Sequence, residues 1–509
     1  MSRIVTPRLF HAAAALLALL VIAPLAAVAW NAATPRVEVW LHLARTQLGE
    51  LARGTIALLL GVGIGTAVVG VGLGWLVATR DFPGRRFFGW ALLLPMAMPA
   101  YVIGFVLLGL FDFGGPVAEL WRRVAGPGAQ LPDPRSYLGL VAVMTLVYYP
   151  YVYLLARTSF AERSMELTEA ARSLGSGPID AFWRLAIPAA RPAIVAGLSL
   201  ALMETLADFG TVSLFGYPAI TVAVYRVWFG MFDRVAAGQL ATILLLFAAV
   251  LFAVERWGRR SARYTSRFRG TPPPPAPITG PVRWLATGAC GAVVAFGFAI
   301  PAGVLIWWTA QAVGSGWRPA SLLPLVTSTA VLAVLATALC LAAAVLLGYG
   351  LRSTRSAGLK RLVRIAVLGY AIPGSVVAVG ILGVLSLVDA LLARGTGLLG
   401  IDPIPLLATS AVGLLFAYLV RFLAVAVLPV QAGLERISPS LDESARTLGA
   451  SPGDVVRRIH APLLRGGLLT AAILVLADVT KEMPATMLLR PFGVDTLAVG
   501  IWQATAESL

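Results

Sequence analysis

Four carboxylates stand in stretches that are otherwise apolar. Glu204 and Asp208 lie within Met203-Glu-Thr-Leu-Ala-Asp-Phe-Gly-Thr211, and Asp478 and Glu482 lie within Asp478-Val-Thr-Lys-Glu-Met-Pro-Ala-Thr486. Each pair is spaced i, i+4, so on a continuous helix both carboxylates share one face. Glu204 follows Pro192 by twelve residues, about 18 Å along a helix. An ionised group that deep in a bilayer faces a pathway or a partner. Hard cations prefer oxygen ligands, so one reading is a carboxylate-lined route for a cation, with direct ligation by the same carboxylates left open. The other reading is structural. Lys481 is within reach of Asp478 on its own helix, and the remaining groups brace helix ends or gates.

Other chemistry finds little support in the residues. His11, His42 and His460 are scattered, and Cys290 and Cys340 sit inside apolar runs. Cysteine there behaves as a small hydrophobe, and neither a disulfide nor a metal site is expected. No cluster of nucleophile, metal or cofactor groups marks an enzyme. The chain lacks a G-x-x-x-x-G-K-[ST] loop, so it does not cradle ATP phosphates by that motif; ATP hydrolysis is expected from a separate subunit, and no cofactor bound by this chain is expected.

The elements that carry the carboxylates are membrane helices. The 509 residues are 59% hydrophobic and 13% charged, against roughly 25% charged in soluble domains. Apolar runs of spanning length are read near 11–30, 55–78, 87–111, 137–156, 192–216, 238–255, 284–309, 323–350, 363–387, 405–428 and 466–490. Alternating strand patterns are absent, so a barrel is unsupported. The first run carries an Ala27-Val28-Ala29 site, but its length exceeds a usual signal-peptide core, and a retained helix is expected. The net charge of +16 is a record of topology rather than of a nucleic-acid partner. Arg80, Arg85 and Arg86, and later Arg352, Arg355, Lys360, Arg361 and Arg364, fall on the side of the N-terminus, which places that terminus in the cytoplasm.

The chain is also an internal repeat. Glu169-Ala-Ala-Arg-Ser-Leu-Gly175 returns as Glu443-Ser-Ala-Arg-Thr-Leu-Gly449, an offset of 274, and Pro99, Pro178, Pro188 and Arg191 find Pro373, Pro452, Pro462 and Arg465 at the same offset. Two parallel halves are therefore expected: 1–256, with its loop at about 162–191, and 281–509, with its loop at about 436–465. Between them, 257–280 is an Arg- and Pro-rich cytoplasmic linker. In each loop a helical stripe of Leu and Ala (Leu167, Ala170, Ala171, Leu174; Leu441, Ala445, Leu448) is followed by Gly175 or Gly449 as a left-handed stop. Pro178 and Pro452 suit the first turn of a following helix, and Ser451 suits an N-cap. A narrow, Ala-rich stripe without bulky anchors fits a protein partner better than a lipid surface.

These two segments resemble the EAA loop of ABC importer permeases, E-A-A, three residues, G, nine residues, then I-x-L-P. Leu185-Ala-Ile-Pro188 and Ile459-His-Ala-Pro462 fall at the required distance, and Ser444 and Ala461 depart from the pattern. The resemblance implies an all-α integral membrane protein of two tandem type I permease halves, with eleven helices here against twelve usual in the family. The second half ends at Leu509 before a counterpart of the 238–255 span. It implies that Glu169, Ala170, Ala171, Gly175, Glu443, Ala445 and Gly449 couple to two copies of a cytoplasmic ATPase that binds ATP-Mg. It also implies a periplasmic or extracellular binding protein and a bacterial inner membrane. The segments Glu204-Thr-Leu-Ala-Asp-Phe-Gly-Thr-Val and Lys481-Glu-Met-Pro-Ala-Thr look like the ferric-iron permeases. Thiamine, phosphonate, sulfate and polyamine permeases belong to the same broad group. A channel or secondary transporter is the remaining alternative, but would have no use for two ATPase-docking loops.

Overall fold

The computed structural model describes residues 7–33, 37–126, 133–173, 180, 182–260, 275–353, 356–397, 407–408 and 410–506, with only the backbone described for some of them, including 162–173. In chain order the helices are α1 (Pro7–Ala33), α2 (Val37–Thr46), α3 (Leu48–Thr79), α4 (Arg85–Ala91), α5 (Ala100–Phe111), α6 (Pro116–Ala125) and α7 (Tyr137–Ser173). They continue with α8 (Ile187–Ala207), α9 (Gly210–Leu214), α10 (Ile220–Tyr225), α11 (Arg234–Arg260), α12 (Val282–Val294) and α13 (Ile300–Gly314). The last group is α14 (Leu323–Ser353), α15 (Ala357–Ala366), α16 (Gly374–Gly397), α17 (Ala411–Glu435), α18 (Pro439–Thr447), α19 (Ala461–Thr480), α20 (Pro484–Leu489) and α21 (Leu497–Ala506).

Among the described residues, eleven stretches are long and apolar enough to cross a bilayer. Their exposed faces carry residues such as Leu60, Ile64 and Val68 on α3 and Leu469 and Ile473 on α19. Such faces suit hydrocarbon rather than water. The protein is an all-α, multi-pass membrane protein.

Among span starts, four shift furthest from the sequence reading, and each has a local cause. The third and ninth spans begin at Ala100 and Gly374, each one residue after a matched proline, Pro99 or Pro373. The residue before a proline is pushed out of the α region, and Met98 and Ile372 are indeed extended. The preceding segments form separate short helices, α4 and α15. The fifth and eleventh spans run Phe182–Ala207 and Val455–Thr480, about ten residues earlier than read. Both start in a π-helical turn, Phe182–Ala186 or Val455–His460, just before Pro188 or Pro462. Proline offers no N–H to its i−4 carbonyl, and a widened turn absorbs the defect.

The chain forms two compact units. One comprises Leu43–Ala223 with Leu246–Arg318, the other Met1–His42 with Val224–Leu245 and Pro319–Leu509. Each unit thus takes its core from one half of the repeat and includes leading helices of the other half.

In the first unit α3 lies along α7. A Cβ at Gly70 would sit 2.7 Å from Val152 Cβ, and one at Gly74 would sit 3.1 Å from the Arg157 amide. The glycines of α3 are there for close packing, as small residues are in membrane helix pairs. Tyr149 donates to the Leu92 carbonyl (2.6 Å), and Tyr153 and Arg157 both donate to the Gly89 carbonyl. Ala286 and Cys290 of α12 are buried with Phe88 and Leu92, so Cys290 serves as an apolar core residue. The end of the linker is held by a two-residue parallel pairing of Arg80–Asp81 (β1) with Ala276–Pro277 (β2).

In the second unit α14, α17 and α19 form the core, and α1 packs on α14, α15 and α16. His11 Nε2 lies 2.9 Å from Ser356 Oγ, which also caps α15.

Candidate coupling loops and acidic clusters

The second loop shows how its sequence becomes a rigid protrusion. Ser438 and Pro439 end the preceding turn and start α18 afresh. Gly449 has φ +83°, and Ala450 N–H donates to the Ala445 carbonyl over 3.0 Å. That is a Schellman stop, which needs a residue tolerant of the left-handed region. Ser451 and Asp454 then form a reciprocal capping box. Asp454 N–H donates to Ser451 Oγ (3.2 Å) and Ser451 N–H to Asp454 Oδ2 (3.2 Å). The Ser451 hydrogen bonds hold the exposed Asp454 carboxyl below its ordinary value.

The stripe on α18 divides. Ala445 is buried, while Leu441 (44% exposed) and Leu448 (87% exposed) face outward with Glu443 and Gly449. Large apolar side chains standing out on a short polar helix mark a contact surface.

A polar hub, which the sequence reading missed, ties α18 to its unit. Asp442 Oδ2 accepts from Arg352 Nη2 (2.9 Å), and Asp442 Oδ1 accepts from His460 Nε2 (2.7 Å). In the neutral ring His460 Nδ1 accepts from Tyr349 Oη (3.1 Å). Arg352 Nη1 also donates to the Leu434 and Ile437 carbonyls (2.7 and 3.0 Å). Burial opposes the charge on Asp442, but the hydrogen bonds from His460 and Arg352 outweigh it and hold that carboxyl below its ordinary value. Arg352 was legible only as a topology charge and His460 only as an isolated histidine. No periodicity joins residues from three elements.

The first loop is built differently. Glu169, Ala170 and Ala171 lie on the last turns of α7, which runs unbroken from the fourth span to Ser173. The short separate helix expected there is not formed. Where the second copy has Pro439, the first has Met165, so nothing interrupts the helix. The side chains of Glu169, Ala170 and Ala171, and Gly175 altogether, lie outside the described residues, as does the Arg446 side chain.

The acidic pairs do not share one continuous helix face. α8 ends at Ala207 and α19 at Thr480, so Asp208 and Glu482 lie beyond the helices that carry Glu204 and Asp478. Each later carboxylate caps the next short helix instead. Asp208 accepts from Thr211 N–H (2.8 Å), Thr211 Oγ1 (2.7 Å) and Tyr148 Oη (2.8 Å) at the start of α9. Glu482 accepts from Ala485 N–H (3.0 Å), Thr486 N–H (3.0 Å) and Thr486 Oγ1 (2.7 Å) at the start of α20. Each carboxylate stands one residue before the N-cap, Phe209 or Met483, and accepts orphan first-turn amides from there, which competes with continuing the previous helix.

The second cluster is neutralised in place. The Glu482 side chain is 1% exposed and pairs with Arg421 of α17 at 2.7 Å. Asp478 pairs with Lys481 at 2.9 Å. Tyr225 donates to the Pro484 carbonyl, and Tyr418 Oη lies 2.8 Å from Thr486 Oγ1. Among the described residues no three His, Cys, Asp or Glu side chains converge on a metal-sized site.

Two stretches of the chain, 70–264 and 341–505, match the family of binding-protein-dependent transport system inner membrane components. The chain belongs to this family. The two matches confirm tandem permease halves, and members are permease subunits of ABC importers that work with a substrate-binding protein and an ATPase. The permease is 24% identical over 470 residues to the Fe(3+)-transport system permease protein FbpB 2 of Haemophilus influenzae, covering 92% of this chain and 86% of the relative. It is 27% identical over 203 residues to the sulfate transport system permease protein CysT of Salmonella typhimurium, covering 38% of this chain and 72% of the relative. It is 26% identical over 196 residues to the molybdate/tungstate permease WtpB of Thermococcus kodakarensis, again covering 38% and 72%.

Proposed function

We propose that the permease translocates ferric iron, released by a periplasmic or extracellular binding protein, across a bacterial inner membrane. Its N-terminus and linker face the cytoplasm, and each loop seats on one of two copies of an ATPase subunit that binds ATP-Mg. The observation that carries the substrate reading is the end-to-end likeness to an Fe(3+) permease, where the sulfate and molybdate relatives match less than half of the chain.

The mechanism follows from the elements. A partner that grips Leu441, Leu448 and Glu443 moves α18, and the Asp442 hub delivers that motion to Arg352 on α14 and to His460 at the start of α19. α19 has 20 residues, about 30 Å of helix, enough to cross the hydrocarbon core. At its far end the Glu482–Arg421 pair passes the motion to α17 and α20. Glu204, Asp208, Asp478 and Glu482 line or gate the route. Asp208 is held by Tyr148 and Thr211, Asp478 by Lys481 and Glu482 by Arg421, so a cation moving past them exchanges places with those partners.

The test is uptake by cells expressing the full importer, with radio-labelled iron, sulfate and thiamine in parallel. Iron-dependent uptake supports the reading. Uptake of sulfate or thiamine without iron refutes the substrate and leaves the permease class intact.

A further inference from the structure

The second unit holds a cavity of about 560 Å³ between the ends of α14 and α17 and the amphipathic helix α15. Its lining is divided by chemistry. Arg352, Lys360 and Arg364 supply cations, Glu435 supplies one carboxylate, and Val363, Val367 and Leu428 supply apolar wall. Arg352 is balanced by Asp442. Glu435 accepts from Gln431 (2.9 Å). Lys360 and Arg364 are exposed, and among the described residues neither has an ion-pair partner. The site therefore keeps one positive charge beyond Glu435. Leu428 is 64% exposed beside it, at the end of a membrane span.

The repeat supplies an internal control. At the offset of 274, Val427 and Gln431 of the cavity correspond to Tyr153 and Arg157, and Val363 corresponds to Gly89. In the first unit Tyr153 and Arg157 fill that place and both donate to the Gly89 carbonyl. In the second unit Val427 and Gln431 are smaller than Tyr153 and Arg157, though Val363 is larger than Gly89, and the space between these helices is open. An opening with a basic rim and an apolar wall at a membrane–water boundary has the two-part chemistry of an anionic phospholipid.

We propose that this cavity binds one anionic phospholipid, its phosphate at Lys360 and Arg364 and an acyl chain along Val363, Val367 and Leu428. One phosphodiester neutralises the residual charge. The bound lipid stands where the first unit uses its own tyrosine and arginine, and it braces α15 against the end of α14. The site is independent of what the permease transports.

The experiment uses the full-length permease equilibrated with vesicles of phosphatidylglycerol and phosphatidylcholine in equal amounts, followed by native mass spectrometry of the retained lipid. Wild type should retain phosphatidylglycerol selectively. The Lys360→Gln/Arg364→Gln variant should lose about thirtyfold of that preference, as two cations near a membrane surface imply. The Val427→Tyr/Gln431→Arg variant, which transplants the filling of the first unit, should abolish retention. If the filled variant fails to fold, the surface-charge variant decides alone. Equal retention of both lipids by wild type, or an undiminished preference in the charge variant, overturns the proposal. Full displacement of the lipid by inorganic phosphate would assign the site to a free oxyanion and overturn it too.

Discussion

The two oxygens of Asp442 are shared between His460 Nε2 at 2.7 Å and Arg352 Nη2 at 2.9 Å. One carboxylate thus fastens the outer loop helix to the ends of two spans. Asp442→Asn removes the charge and should cost about 1.5–3 kcal/mol, the range for hydrogen bonds to charged groups. The Asp442 carboxyl is held low, so its contribution is complete above the ordinary Asp value of about 4. It is lost as pH falls through the lower folded value. Limited pepsin digestion from mildly to strongly acidic pH should open α18 only at the acid end in wild type. In Asp442→Asn cleavage should occur across the whole range. Equal cleavage of the two proteins at every pH would remove the hub from the account.

Arg421 and Glu482 form a buried pair with side chains 11% and 1% exposed. Removing one partner strands a buried charge, at a cost of about 3–5 kcal/mol. Arg421→Met should therefore lower the melting point of the purified permease sharply. Adding Glu482→Gln should restore much of the loss, because the amide keeps an acceptor for α20 and no charge is left alone. A double variant no more stable than the single one would contradict this reading.

Glu204→Gln with Asp208→Asn separates charge from capping. The amide oxygen at position 208 still accepts from Thr211 N–H, and its NH2 donates to hydroxyls that also accept, those of Tyr148 and Thr211. Protein levels should stay normal. Uptake of the transported substrate should fall about tenfold, the equivalent of one lost charge-assisted interaction. Normal uptake by the double amide would reduce both residues to packing and capping roles.

A single cysteine at Ser266, in the Arg-rich linker, should resist membrane-impermeant thiol reagents in intact cells and react after permeabilisation. Labelling in intact cells would reverse the topology. The native Cys290 and Cys340 are buried and do not compete.

Hydropathy carried most of this fold, because each span must satisfy its backbone internally and so reads as a continuous apolar run. The repeat carried the halves. The sequence did not reveal where helices stop inside apolar runs. Asp208 and Glu482 look like members of i, i+4 pairs until their capping bonds to α9 and α20 are seen. Nor did it reveal that α1 packs on the core of the second half. Apolar helix faces in lipid carry no label for their partners. The hub escaped notice because Tyr349, Arg352, Asp442 and His460 are spread over more than a hundred positions and meet only in the folded unit. One difference between the halves was present in the letters: Pro439 against Met165.

The central claim is that the two loops transmit ATP hydrolysis to the membrane helices. Gly449 has φ +83°, and proline is locked near −65°, so Gly449→Pro destroys the turn behind α18 without touching a membrane span. Gly175→Pro is the matching change in the first loop. The deciding measurement is the ratio of substrate imported to ATP hydrolysed in proteoliposomes containing the permease, its ATPase and its loaded binding protein. The account predicts normal membrane insertion in both variants and a ratio that collapses toward zero. A wild-type ratio in both variants would contradict it.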